Sequence, residues 1–315
     1  MCPLCGLNKS DLRLLPEQAQ TISKPTTAIK KAGTGKSRGS ADHIVIVGAG
    51  IAAWSVAEEI RKTDQTSQVL IVTACEGASY PKPALSTALA SGKAADDLID
   101  QDAITKASEL GIDIRTETRV IKIDTDKKRL TTAKGGIQYG KLVLALGAHQ
   151  RELSVSGNAS DNILRVNDLA AYRKMRARLQ DHVEHVTILG AGLIGCEFAE
   201  DLSSAGFQVS VIDPAQYPLA SLLPIETAKR LERQLQAKGI DWRFNKTLDA
   251  VDSGGNKLRA TLSDGMAIET DMVISAAGLV ANIQLAEKAG LSVNRGISVD
   301  RQLCTTHKDI YAIGD

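Results

Sequence analysis

The sequence predicts an α/β fold of two units, each a parallel sheet with a glycine-rich turn at the end of a buried strand. First, 315 residues suffice for about two domains. Second, the apolar run HIVIV at 43–47 leads into a Gly-Ala-Gly turn, a helix-periodic stretch and a second apolar run at 68–72. Third, the same order returns at 186–212. Strand, turn, helix and strand in this order form a βαβ unit.

Composition excludes several classes of function. The chain has 38 Lys and Arg residues against 37 Asp and Glu, a net charge of +1, which gives no electrostatic case for binding nucleic acid. Aromatic residues, at 3%, are too few for base-stacking platforms. We expect no membrane span, because no apolar run approaches about 18 residues, and no secretory signal. Five scattered cysteines argue against a disulfide framework and favour the cytoplasm.

The first 42 residues differ from the rest. Residues 16–42 are rich in Thr, Ser, Lys, Gly and Pro, a composition typical of a flexible linker or of a frayed extension. Ahead of them, residues 1–15 contain Cys2-Pro-Leu-Cys5-Gly6, and this spacing lets two thiolates face one tetrahedral metal ion. Two thiolates do not complete a four-cysteine site. Half of a zinc ribbon and a chance pair therefore stay as alternatives to an iron knuckle.

The two glycine-rich turns predict two dinucleotide sites in Rossmann-like units. In such a turn one glycine allows the bend, one lets the backbone approach a pyrophosphate, and one lets helix and strand pack closely. The first turn has Ala in the third place and the second is complete: Gly48, Gly50 and Ala53, then Gly190, Gly192 and Gly195.

Acidic residues follow both units. An acid beyond the second strand of such a unit binds a ribose diol. Glu76 is the candidate after the first turn, with Cys75 in a neighbouring position where an acid would also fit. Asp213 ends the strand after the second turn, and no Arg follows in VIDPAQY to hold a 2′-phosphate, which favours NAD over NADP. A helix N-cap before Pro214 is the structural alternative.

Two further charged residues stand near the turns. Lys82 lies between prolines in YPKPALS, where a rigidly held positive charge would stabilise a reduced, anionic flavin ring; an exposed loop lysine is the alternative. Glu197 stands in the first turn of the second glycine-rich helix, where the helix dipole alone explains a carboxylate. Neither turn has a cysteine pair beside it. We therefore expect electrons to leave a flavin toward an outside acceptor.

Residues 43–315 resemble the two-dinucleotide-fold flavoprotein reductases, most closely the rubredoxin–NAD reductases. The segments that carry the resemblance are HIVIVGAGIAAWSVAEEIRK, SYPKPALSTALA, KLVLALGA, ILGAGLIGCEFAEDLSSAG and DIYAIGD. The resemblance implies that FAD contacts Gly48, Gly50, Ala53, Glu76, Lys82, Gly147 and Asp315. It implies that NAD contacts Gly190, Gly192, Gly195 and Asp213. It also implies that Lys82 and Glu197 are the catalytic residues and pair with each other beside the flavin.

The resemblance also implies an organisation and a partner. A FAD-binding domain at 43–150 with a return segment at 282–315 would hold an inserted NAD-binding domain at 151–281, and we expect the family's C-terminal interface domain to be missing. CPLCGLNKSDL within residues 1–15 is similar to the second knuckle of a rubredoxin, so iron is expected at Cys2 and Cys5 only with the missing rubredoxin half. Electrons would pass from NADH through FAD to rubredoxin, a fused one included. A component serving ferredoxin or nitrite reductase, and a non-catalytic nucleotide-binding sensor, are the alternatives.

Overall fold

The computed structural model describes residues 43–315. The expectations for residues 1–15 and 16–42, with Cys2 and Cys5, lie outside the described residues. None of the helices between 43 and 315 is long and apolar enough to cross a membrane.

The first glycine-rich turn belongs to a five-stranded parallel sheet. The strands of this sheet are β1 (His43–Val47), β2 (Gln68–Val72), β3 (Asp113–Arg115), β7 (Lys141–Leu144) and β18 (Ile310–Ala312). They lie in the order β18-β7-β1-β2-β3, and β1 pairs with β2 in full register. Two helices accompany the sheet, α1 (Ile51–Thr63) and α2 (Ala103–Leu110).

The second glycine-rich turn belongs to another five-stranded parallel sheet. Its strands are β9 (Leu164–Arg165), β10 (His185–Leu189), β11 (Gln208–Asp213), β12 (Ile240–Phe244) and β16 (Met272–Ser275). They lie in the order β12-β11-β10-β16-β9. The accompanying helices are α3 (Leu169–Arg178), α4 (Leu193–Ser204) and α5 (Ile225–Gln236). Both sheets therefore place the turn-bearing strand in the centre.

Two small antiparallel sheets complete the units. One contains β4 (Val120–Asp124), β5 (Arg129–Thr132) and β6 (Gly135–Gln138); the other contains β13 (Leu248–Gly254), β14 (Lys257–Leu262) and β15 (Ala267–Thr270). Where the chain passes between the large sheets, β8 (Ala148–Gln150) pairs antiparallel with β17 (Leu279–Ala281), and the short helix α6 (Gln284–Lys288) follows. The two crossings are thus held together by main-chain hydrogen bonds.

The central strands are buried, because each sheet is packed on both faces. The β-branched runs 45–47 and 69–72 are buried, and so are 186–189 and 209–212. Helix α1 buries Ala53, Trp54 and Ala57 against the first sheet. Helix α4 buries Phe198 and Leu202 in the core of the second. The α/β fold with two parallel sheets confirms the fold class predicted from the sequence.

Candidate functional site

The first glycine of each turn is required by the backbone. Gly48 has φ +119°, and its N–H donates to the Val72 carbonyl at 2.9 Å. A Cβ there would overlap the carbonyl oxygen of Ala145. Gly190 repeats this arrangement with φ +108°, because its Cβ would overlap the Ala276 carbonyl. Any larger residue at either position would push apart the strands that support the turn.

The middle glycines, Gly50 and Gly192, face open space. Each is the N-cap of its helix, α1 or α4, with φ near −75°, and neither helix start has a side-chain cap. No atom lies within 4 Å of the position that a Cβ would take at either glycine. Uncapped N–H groups at a helix start, with free space in front of them, suit a pyrophosphate.

The third positions differ between the turns. A Cβ on Gly195 would overlap the carbonyl oxygen of Gly190, so the start of α4 lies close against its turn. Ala53 occupies the corresponding place in α1 and is completely buried. The first turn therefore accommodates one methyl group that the second turn excludes.

A cavity of about 980 Å³ lies in front of the second turn. We call it the second cavity; its lining includes Gly190, Gly192 and Asp213. The Asp213 carboxylate accepts hydrogen bonds from the N–H groups of Ala191 at 2.6 Å and Ala215 at 2.7 Å. The N-cap alternative for Asp213 is wrong, since the residue belongs to β11 and the next helix begins only at Ile225. An acid at this strand end lies where the ribose-binding acid is expected.

A cavity of about 680 Å³ lies in front of the first turn. We call it the first cavity; its lining includes Gly50, Cys75, Glu76, Lys82 and Arg173. By strand register, the residue that corresponds to Asp213 in the first sheet is Thr73. The acid that we predicted, Glu76, stands three residues farther along and reaches the cavity from the loop.

Arg173 is a site residue that sequence reasoning missed. It lies on α3, and its guanidinium pairs with the Glu76 carboxylate at 2.9 Å and with Asp96 at 2.7 Å. Asp168, the N-cap of α3, also lines the first cavity. Helix α3 belongs to the other sheet, so residues from both large sheets enclose this cavity. The sequence of α3 contains several basic residues, and nothing in it indicates that Arg173 lines the first cavity.

Lys82 begins a 3₁₀ helix, Lys82–Ser86, and lines the first cavity half-buried. Burial lowers the pKa of its ammonium, whereas the negative charges of Asp315 and Asp168 act in the opposite direction. The alternative of an exposed loop lysine is therefore wrong, because the side chain is half-buried in the cavity lining. Among residues 43–315, Lys82 makes no ion pair within 4.0 Å.

The expected Lys82–Glu197 ion pair is therefore wrong in this structure. The Glu197 carboxylate instead accepts a hydrogen bond from the Ser86 hydroxyl at 2.5 Å. The physical reason is the 3₁₀ helix, whose far end presents Ser86 to α4 while Lys82 faces the first cavity. Glu197 is partly buried and lines neither cavity.

Two further predicted residues follow the carboxyl ends of strands in the first sheet. Gly147, with φ +63°, follows β7, and its carbonyl accepts the Asn282 N–H at 2.9 Å. Asp315 follows β18, and a Cβ on its neighbour Gly314 would stand 3.0 Å from the Cβ of Ala52 in α1. The end of the described chain therefore lies against the start of the helix that follows the first turn.

The described cysteines form no pair. Cys75 is exposed, Cys196 is buried and Cys304 is partly buried, and all three are free. Burial, the largest cause, raises the pKa of the Cys196 thiol to about 12. Within the part of the chain that the structure describes, no three His, Cys, Asp or Glu side chains are grouped for a metal ion. Cys2 and Cys5, the metal ligands predicted from the sequence, lie outside these residues.

Comparison with known proteins decides the family. A model of the pyridine nucleotide-disulphide oxidoreductases matches residues 42–315. The chain belongs to this family. It is 43% identical over 273 residues to a rubredoxin-NAD(+) reductase of Alcanivorax borkumensis, covering 86% of this chain and 71% of that protein. It is 37% identical over 274 residues to a nitric oxide reductase FlRd-NAD(+) reductase of Vibrio vulnificus, covering 87% and 72%.

A solved structure gives the same answer for the fold. A ferredoxin reductase of Rhodopseudomonas palustris superposes with a TM-score of 0.81 at 30% identity, covering 87% of this chain and 68% of that one. The chain is thus an NADH-dependent flavoprotein reductase with FAD and NAD(H) as its cofactors, as the sequence predicted. The two cavities and their glycine turns fit two such dinucleotides.

Proposed function

We propose that this reductase passes electrons from NADH through FAD to a rubredoxin-type iron protein. FAD binds in the first cavity and NADH in the second. The observation that carries the proposal is the repeated construction of the two sites: a strained first glycine, an open second glycine and an uncapped helix start in each. When bound, FAD accepts a hydride from NADH and releases electrons one at a time.

The residues of the first glycine-rich turn and of the first cavity support the assignment of FAD. Gly48 and Gly50 shape the turn for the pyrophosphate, and Ala53 packs the helix behind it. Glu76, which is paired with Arg173, binds the adenosine end, where an acid hydrogen-bonds ribose hydroxyls. Lys82 supplies positive charge near the ring.

Two residues that follow strands of the first sheet complete that site. Gly147, between β7 and β8, has free space where a Cβ would stand, so that FAD can approach its backbone. Asp315, which follows β18 close to the start of α1, contacts the ribityl chain.

The second cavity supports the assignment of NADH. Gly190, Gly192 and Gly195 form the pyrophosphate turn, and Asp213 accepts from the ribose hydroxyls. A carboxylate at that point repels a 2′-phosphate, which favours NADH over NADPH. We propose Glu197, one turn along α4 and bonded to Ser86, as the catalytic carboxylate that acts with Lys82.

An outside iron protein is the best acceptor. The cysteines between 43 and 315 form no dithiol that would take a pair of electrons from the flavin. Both relatives named above are reductases of rubredoxin or of an FlRd protein. Cys2 and Cys5 supply two thiolates of a knuckle, so they hold iron only together with a second pair from the rubredoxin half. The proposal includes a FAD-binding domain formed by residues 43–150 and 282–315 and an NAD-binding domain formed by residues 151–281. It also places the protein in the cytoplasm.

The acceptor is tested by stopped-flow oxidation of the NADH-reduced chain. Purified rubredoxin, a plant-type ferredoxin and nitrite reductase are each offered at equal concentration. We expect rubredoxin to reoxidise the flavin at least about tenfold faster than the others, the margin that about 1.4 kcal/mol provides. Faster reoxidation by ferredoxin would make the chain a ferredoxin reductase. A flavin that none of them reoxidises would contradict the proposal.

A further inference from the structure

The segment that carries Lys82 is supported by the helices of the other sheet. Leu85 and Ala88 pack in one apolar cluster with Phe198 and Leu202 of α4. The buried residues of α1 belong to a separate cluster. Lys82 lines the first cavity, yet the residues that follow it rest on α4. The position of this cation therefore depends on how its segment is fixed to α4.

Two carboxylates of α4, one helical turn apart, make the polar contacts to that segment. Glu197 accepts from the Ser86 hydroxyl. Asp201 accepts from two successive backbone N–H groups, Leu89 at 2.8 Å through Oδ2 and Ala90 at 2.9 Å through Oδ1. Residues four apart lie on the same face of a helix. The 3₁₀ helix and the loop after it are thus fastened to one face of α4 at two points.

Asp201 is the buried member of this pair of contacts. Asp201 is only 6% exposed, and each of its carboxylate oxygens accepts a hydrogen bond from a backbone N–H group. Burial raises the pKa of Asp201; the two N–H donors and the Arg176 guanidinium of α3 lower it, and Glu200 raises it. The ionised carboxylate offers both oxygens as acceptors to the two N–H groups, whereas protonation would make one of them a hydroxyl, which is a weaker acceptor.

We propose that Asp201 is a positioning residue of the redox site. By binding the N–H groups of Leu89 and Ala90, it holds the 82–91 segment on α4 and so fixes Lys82 in the first cavity relative to Glu197. Asp201 lines neither cavity, so it acts through the segment rather than on a cofactor. The inference rests on the proposed function, since FAD is placed in the first cavity.

The structural half of the test needs no cofactor. Hydrogen exchange is followed by mass spectrometry in the full chain and in the Asp201→Asn and Asp201→Ala variants. Asn keeps one acceptor oxygen and Ala keeps none, so exchange at Leu89 and Ala90 should rise in that order, about tenfold or more for Ala. Asp271→Asn is the matched control, because Asp271 accepts from the N–H groups of Glu184 and His185 away from both cavities. It should leave exchange at 89–90 unchanged.

The functional half measures the midpoint potential of bound FAD and the rate of its reduction by NADH. A displaced Lys82 stabilises the reduced ring less, so the potential should become more negative and kcat should fall, with the KM for NADH within about twofold. Asp271→Asn should change neither the midpoint potential nor kcat.

If exchange at 89–90 rises but the midpoint potential and kcat stay at wild-type values, the positioning role is overturned. If Asp201→Ala does not fold, Asp201→Asn decides by the same criteria. A wild-type chain whose FAD is not reduced by NADH would overturn the proposed function, and this inference with it.

Discussion

The Ser86 hydroxyl donates to the Glu197 carboxylate at 2.5 Å, and it also lies 3.1 Å from the Pro83 carbonyl. Ser86 is 4% exposed, so the bond is sheltered from water. The bond joins the 3₁₀ helix Lys82–Ser86 to α4, the helix that begins at the second glycine-rich turn. A neutral donor thus fixes the Glu197 carboxylate on α4 without cancelling its charge.

Replacing Ser86 by Ala should release Glu197. A hydrogen bond to a charged group contributes about 1.5–3 kcal/mol, so we expect the rate of flavin reduction by NADH to fall about tenfold. Single-turnover kinetics without oxygen measure this rate. Ser91→Ala is the matched control, because Ser91 bonds only to the Ala88 carbonyl of its own segment. Equal effects of the two variants would contradict a specific role for the Ser86–Glu197 bond.

Alanine substitutions at two glycines of the second turn should affect different properties, NADH binding at Gly192 and stability at Gly195. A methyl at Gly192 meets no atom within 4 Å, so Gly192→Ala should fold with wild-type stability but raise the KM for NADH about tenfold by blocking the pyrophosphate. A methyl at Gly195 meets the Gly190 carbonyl, so Gly195→Ala should lose about 1–3 kcal/mol of stability. Thermal denaturation and steady-state kinetics check both variants. Unchanged NADH affinity in Gly192→Ala would exclude this turn as the NADH site.

Asp213 should set the preference for NADH. Asp213→Asn keeps an oxygen for the Ala191 N–H but removes the charge that repels a 2′-phosphate. The ratio of kcat/KM for NADH over NADPH should fall by about tenfold or more. Asp249→Asn, an acid of the same cavity away from the strand end, should leave the ratio within about twofold. A wild-type chain that prefers NADPH would refute the assignment.

Cysteine labelling should report FAD in the first cavity without any measurement of activity. Cys75 is exposed and lines that cavity, so iodoacetamide at about pH 8 should alkylate it, and FAD should slow the reaction. The Cys196 thiol, with its pKa raised to about 12, stays protonated at this pH and should not react. Peptide mapping separates the sites. Cys304 lies outside the cavity lining, and protection of Cys304 equal to that of Cys75 would mean that FAD acts elsewhere.

Local patterns were sufficient to predict the parallel sheets and their turns. The runs 43–47, 68–72 and 272–275 form strands with the predicted bounds, because buried β-branched segments and glycine turns are coded by neighbouring residues. Asp213 was found for the same reason, as the last residue of its strand.

Contacts between distant segments were not predictable in this way. Ser86 and Glu197 are 111 residues apart, and Arg173 reaches Glu76 across 97 residues. Nothing in YPKPALS shows that a 3₁₀ helix turns Lys82 away from Glu197. The small antiparallel sheets also escaped prediction, since their short strands alternate on exposed surfaces.

Anaerobic titration of the FAD-loaded chain with NADH tests the central claim most directly. The visible absorbance of bound flavin is recorded after each addition, before and after rubredoxin is supplied. We expect that about one equivalent of NADH bleaches the flavin, because one hydride carries the two electrons that it accepts, and that about two equivalents of oxidised rubredoxin, each taking one electron, restore the colour. Flavin that is bound but stays oxidised in excess NADH would contradict the account.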